Sequence, residues 1–132
     1  MKRRLISRDD RGAAVIEMAF ALPALIVLIW MIVQLAMVFR AMSGIQHALG
    51  EGARYATIWP QPTDDQVETK IEEAVYGIGP GNFTIHPPEA GLTDAAEPYL
   101  DLKVSYTQET NLLLLPGPTI TVSREKRVWV AE

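Results

Sequence analysis

The feature that most constrains this chain is an apolar run. Residues 13–39, "AAVIEMAFALPALIVLIWMIVQLAMVF", hold only two strongly polar members, Glu17 and Gln34. Between Glu17 and Arg40 lie 22 residues without a formal charge. A helix needs about 20 apolar residues to cross a hydrocarbon core of ~30 Å. The run therefore predicts a transmembrane helix over 13–40. A cleaved secretory signal is the rival reading, because a basic N-terminus precedes the run. Its apolar region is only about 7–15 residues long, shorter than the one here. Pro23 falls early in the run and releases the carbonyl of Ala19. A membrane helix tolerates this where neighbours or water satisfy the freed group.

Charge is split about this segment. Residues 1–12 carry Lys2, Arg3, Arg4, Arg8 and Arg11 against Asp9 and Asp10, a net of +3. Residues 41–132 carry a net of −7, within a chain total of −4. The positive-inside tendency keeps the N-terminus in the cytoplasm and exports residues 41–132. Nucleic acid is not an expected partner for an acidic domain with so short a basic arm. There is no cysteine, so disulfides and thiolate metal sites are excluded.

Glu17 is the costly residue. A carboxylate at mid-bilayer costs about 2.5–3.5 kcal/mol, less near the edge where it snorkels toward the headgroups. It is either a tolerated charge near a helix end or a functional group. Gly12 stands five residues before it, with basic residues upstream and an apolar helix downstream.

This arrangement resembles the cleavage signature of type IV prepilins: a short basic leader, a glycine, and a glutamate at the fifth position of the mature chain. The longer stretch "RGAAVIEMAFALPALIVLIWMIVQLAMVFRAMSGIQHALGEGARYA" resembles the TadE-like family of pilus assembly proteins. Arg11-Gly12, Glu17, Leu22-Pro23 and the run from Glu51 to Ala56 carry that resemblance. Met18 stands where many members have an aromatic. The resemblance implies a minor pseudopilin of the tight-adherence Flp/Tad pilus. It also implies a prepilin peptidase that cuts between Gly12 and Ala13 on the cytoplasmic side. Other pilins and the pilus assembly platform are the implied protein partners, with membrane lipid around the helix. A new α-amine at Ala13 would meet Glu17 of a neighbouring subunit where water is scarce, each charge satisfying the other.

Past Arg40 the helical pattern continues over 41–58 and stops before Pro60. Gly44, Ala48, Gly52 and Ala56 recur every four residues, a small-residue ridge that permits close approach. The ridge packs on its own domain or forms an intersubunit seam. Gly44, Gly50 and Gly52 each lower helix stability by about 1 kcal/mol relative to alanine. "PQPTDDQ" is a turn, and Thr63 or Asp64 caps a second helix over 64–76, with Val67, Ile71, Ala74 and Val75 inward. "GIGPG" ends it. Strands are expected near 82–86, 99–108 and 119–130, with "PPEAGLTDAAEP" as a loop. In the second strand Leu100, Leu102, Val104 and Tyr106 share one face. "NLLLLPGP" is a turn through Pro116-Gly117, and its leucines are core or an exposed contact patch. The expected fold class is α+β: a long transmembrane helix extended into a small exported pilin-like head with a second helix and an antiparallel sheet.

Enzyme chemistry is not expected. His47 and His86 lie in different segments, and a ligand set needs several close partners. "GIGPG" lacks the lysine and following helix of a phosphate loop. Glu68, Glu72 and Glu73 read as a solvated helix face. No catalytic residue, cofactor, metal or small-molecule substrate is assigned. Besides a pseudopilin, the residues admit an uncleaved single-pass scaffold of a secretion or envelope complex, or an exported binding domain on a plain signal anchor.

Overall fold

The computed structural model describes residues 10–130. Most of the expected basic leader, residues 1–9, lies outside the described residues. A single helix, α1 (Asp10–Ala56), takes in both the apolar run and the segment after it. Its 47 residues make a rod about 70 Å long. Pro23, Gly44, Gly50 and Gly52 do not interrupt it. Its end falls at Ala56, after which Thr57 and Ile58 close only turns back to Arg54 and Tyr55.

The second helix, α2 (Asp64–Ala74), has Thr63 as its N-cap. Thr63 Oγ1 accepts from the Gln66 amide, and the Gln66 side chain accepts from the Thr63 amide. Two otherwise orphaned donors are satisfied by this reciprocal pair. The helix ends two residues earlier than the pattern suggested. Val75 turns extended and Gly77 takes φ +69°, a left-handed conformation suited to glycine.

Three strands follow: β1 (Asn82–Leu92), β2 (Pro98–Asn111) and β3 (Pro116–Trp129). They form an antiparallel meander in the order β1-β2-β3. All three run longer than the alternation alone indicated. The first half of the expected "PPEAGLTDAAEP" loop belongs to β1. A register shift between His86 and Glu89 absorbs Pro87 and Pro88, and pairing resumes at Glu89↔Asp101. Proline is tolerated there because β1 is an edge strand with a break in its ladder.

The head core lies between the sheet and the two helices. Ala41, Ile45, Ala48 and Leu49 of α1 meet Val67 and Ile71 of α2 and the inner face of β2. Leu100, Leu102, Val104 and Tyr106 share that inner face, as the alternation predicts, and Gln108 extends it. The Tyr106 hydroxyl donates to Gln108 Oε1 at 2.8 Å and accepts from the Gly81 amide at 3.2 Å. A buried phenol needs such partners.

The outer face of the sheet is polar. Ser105 Oγ lies 2.8 Å from His86 Nε2 and 3.0 Å from Ser123 Oγ, a cross-strand ladder. Beside it Arg127 grips Asp101 through two bonds of 2.8 and 2.7 Å and stacks 3.8 Å above the Tyr99 ring.

Candidate functional site

Two regions of α1 carry the functional argument: its first turns, and the stretch where the sheet reaches back to it. Gly12 and Ala13 lie in the first turn. Amides there have no intrahelical carbonyl partner, so local unwinding breaks few bonds. Ala13 is exposed, as is Glu17 one turn further along. Nearly every side chain from Ala13 to Ile29 is exposed, including Phe20, Leu25 and Ile26. Within this chain nothing among the described residues covers them. The apolar window has a mean hydropathy of 2.5 and is long enough to cross a membrane.

The small-residue ridge has a different fate. Ala48 and Ala56 are buried in the head core. A Cβ on Gly44 would overlap the carbonyl of Tyr76, and one on Gly52 would overlap the side chain of Ile71. Gly44, Ala48, Gly52 and Ala56 thus pack within the chain's own head, the first of the two alternatives open from sequence. The reason is steric: α2 and the residues just after it approach α1 so closely that no side chain fits at Gly44 or Gly52.

A third relationship was not legible from the sequence. The β2–β3 hairpin returns along α1 and docks on Trp30 and Gln34. The Gln34 side chain donates to the Asn111 carbonyl at 2.6 Å and accepts from the Asn111 amide at 2.8 Å. Trp30 Nε1 donates to Asn111 Oδ1 at 2.8 Å, and the Leu113 amide donates to the same oxygen at 3.2 Å. Gln34 is only 6% exposed. The lone amide in the apolar run was the available signal; its partner, 77 residues away, was not.

The hairpin turn itself is Leu112–Leu115, with Asn111 paired to Pro116 across it. Pro116-Gly117 belong to β3, so the expected turn lies a few residues earlier. The Leu112 amide bonds the Leu115 carbonyl at 2.7 Å. Leu113 adopts φ +68°, which costs a side-chain-bearing residue about 1–2 kcal/mol. Leu113, Leu114 and Leu115 are 47%, 95% and 64% exposed, so the leucine run is a surface patch and not core.

Among the described residues, no three His, Cys, Asp or Glu side chains are grouped to hold a metal. Two grooves follow the hairpin–helix contact. One is apolar, about 310 Å³, between Leu28, Met31 and Leu35 on α1 and Leu112 and Ile120 on the hairpin.

This architecture is that of a small α+β head on one helix capable of spanning a membrane. A family model described as TadE-like protein matches residues 12–54, so the resemblance read from the residues holds over that segment. The match takes in Gly12, Glu17, Gln34 and nearly all of α1 after its first residues, and none of the sheet. A TadE-like domain points to a Tad pilus-associated protein. No curated protein and no solved structure matches the chain.

Proposed function

We propose that this chain is a minor pilin or pseudopilin-like subunit of Flp/Tad pilus biogenesis, cut by a prepilin peptidase between Gly12 and Ala13. The observation that carries the reading is Glu17, an exposed carboxylate on an otherwise apolar exposed helix, one turn beyond a glycine at the helix start. A plain anchor gains nothing from that carboxylate. A bundle of such helices does, once cleavage creates a positive α-amine at Ala13. Glu17 of one subunit then neutralises the amine of the next and sets a vertical stagger. Removing one partner costs more than the pair contributes, because a charge is left without compensation in a low-dielectric setting.

In this proposal the N-terminus faces the cytoplasm and the head is exported, following the charge asymmetry of the flanks. The partners are lipid, the peptidase, other pilins and the assembly platform. Intact mass and N-terminal sequencing of the membrane-extracted protein test the proposal. A mature chain starting at Ala13 supports it. A full-length chain in cells that contain an active prepilin peptidase would refute it and leave the uncleaved scaffold or the anchored binding domain.

A further inference from the structure

We propose that the Leu112–Leu115 hairpin tip enters the bilayer beside α1, in the leaflet on the head side, as a second membrane contact of the same chain. The proposal rests on α1 spanning a membrane and is independent of processing at Gly12 and of pilus assembly.

Depth follows from two rulers laid along one another. A Cβ on Gly52 would lie 3.7 Å from Leu102 Cδ1, so β2 and α1 meet there. They meet again at Gln34 and Asn111. From Gly52 back to Gln34 a helix covers roughly 27 Å. From Leu102 on to Asn111 a strand covers roughly 30 Å. The two lengths agree, so β2 runs alongside α1 in the opposite chain direction. The leucines after Asn111 therefore point toward the N-terminal end of α1, the membrane end.

A span that begins as early as Ala13 crosses ~30 Å by about residue 33. Gln34 then lies at the boundary of the hydrocarbon, and any later start to the span places it deeper. The tip passes Gln34, and Leu112 shares a groove with Leu28, a residue well inside the apolar run. An exposed leucine patch at that level is continuous with the lipid-facing side of α1.

The tip also carries no charge, and most of its amides are bonded. From Thr110 to Ser123 the hairpin carries no formal charge; Glu109 and Arg124 are the first charges toward the head. The Leu112 amide bonds Leu115, the Leu113 amide bonds Asn111 Oδ1, and the Leu114 amide bonds the Leu112 carbonyl at 2.9 Å. Non-helical backbone at membrane depth is costly in proportion to the polar groups that protein leaves unsatisfied. Here bonds within the turn and to Asn111 satisfy three of the four leucine amides and two of their four carbonyls, which lowers that cost.

The absence of cysteine makes the test direct. Leu114→Cys, in the full chain reconstituted in phosphatidylethanolamine–phosphatidylglycerol vesicles, is labelled with an environment-sensitive fluorophore. It is exposed to nitroxides on lipid acyl chains and to aqueous iodide. Leu28→Cys, in the run, and Asp94→Cys, in the turn at the opposite end of β2, are the references. The expected result is a blue-shifted Leu114 label that loses emission to acyl nitroxide as the Leu28 label does, with only the Asp94 label quenched by iodide. A Leu114 label quenched by iodide beside a lipid-quenched Leu28 label overturns the insertion alone. A Leu28 label untouched by lipid nitroxide overturns the span and the insertion with it. A Leu114 label shielded from both quenchers, beside a lipid-quenched Leu28 label, means that protein covers the tip, and it too overturns the insertion.

Discussion

Gln34 and Asn111 are joined by two hydrogen bonds, the side-chain amide of one closing on both backbone groups of the other. This pair holds the sheet hairpin against the apolar helix. Gln34→Leu keeps roughly the side-chain volume and suits the apolar run, but leaves the Asn111 amide and carbonyl without these partners. The expected loss is about 1–3 kcal/mol per unsatisfied buried group, with less where water reaches it. Hydrogen exchange read by mass spectrometry checks this: peptides covering Asn111 and the hairpin turn exchange faster, while those covering α2 do not.

Gly44 faces the carbonyl of Tyr76, just past the end of α2. In an isolated helix, Gly44→Ala would gain about 1 kcal/mol in propensity. In this protein the added methyl meets backbone, which cannot swing aside as a side-chain end can. Overpacking of that kind costs about 1–3 kcal/mol. The net expectation is a lower melting temperature in detergent. Gly50→Ala, with open space at its Cβ, should instead raise it.

Processing depends on what flanks the scissile bond. Gly12→Phe is expected to leave the chain at its full mass, because a bulky side chain at that position blocks entry to a narrow cleft. Mass spectrometry of membrane fractions reads the result. Normal trimming to Ala13 in this variant would remove the cleavage assignment.

Glu17→Ala separates insertion from assembly. Loss of the carboxylate makes the helix more apolar, so membrane insertion and trimming should continue. Incorporation into filaments or into the basal complex should fall, because the neighbouring α-amine has lost its counter-charge. Sheared filaments and membrane fractions, compared by immunoblot, report it. Unchanged incorporation would rule out the pairing.

On the outer sheet face the Arg127 guanidinium, through its paired hydrogen bonds, holds the Asp101 carboxyl below the usual carboxylate range. A carboxyl depressed on folding stabilises the fold above its unfolded pKa of about 3.9, and that contribution is lost as pH falls through the folded value. Asp101→Asn should lower the melting temperature modestly at neutral pH. The gap to the parent chain should close below the carboxylate range and narrow in high salt, since the pair is solvent-accessible. Melting curves across pH 2–7 test this.

Much of the architecture was readable because it depends on local periodicity. The apolar run required a long helix, Thr63 or Asp64 marked the start of α2, and the alternation from Leu100 to Tyr106 named the inner face of β2. Element ends were less legible. The strands lengthened because pairing to a neighbour carried Glu89–Leu92 into β1 and Pro116–Pro118 into β3, against weak local propensity. The small-residue ridge was visible as a pattern, but its partner was not.

By itself, the sequence determined that this chain has one segment suited to lipid, a carboxylate near its start, and a head able to bury one face of a sheet. These follow from composition and spacing, which act over a few residues. Tertiary structure alone decided that Gly44 faces Tyr76 and Gly52 faces Ile71, that Gln34 closes on Asn111, and that four leucines hang beside the apolar helix. Each of those outcomes joins groups distant in sequence. Which side chains meet depends on how far the strand and the helix extend past one another, and no local pattern records that length.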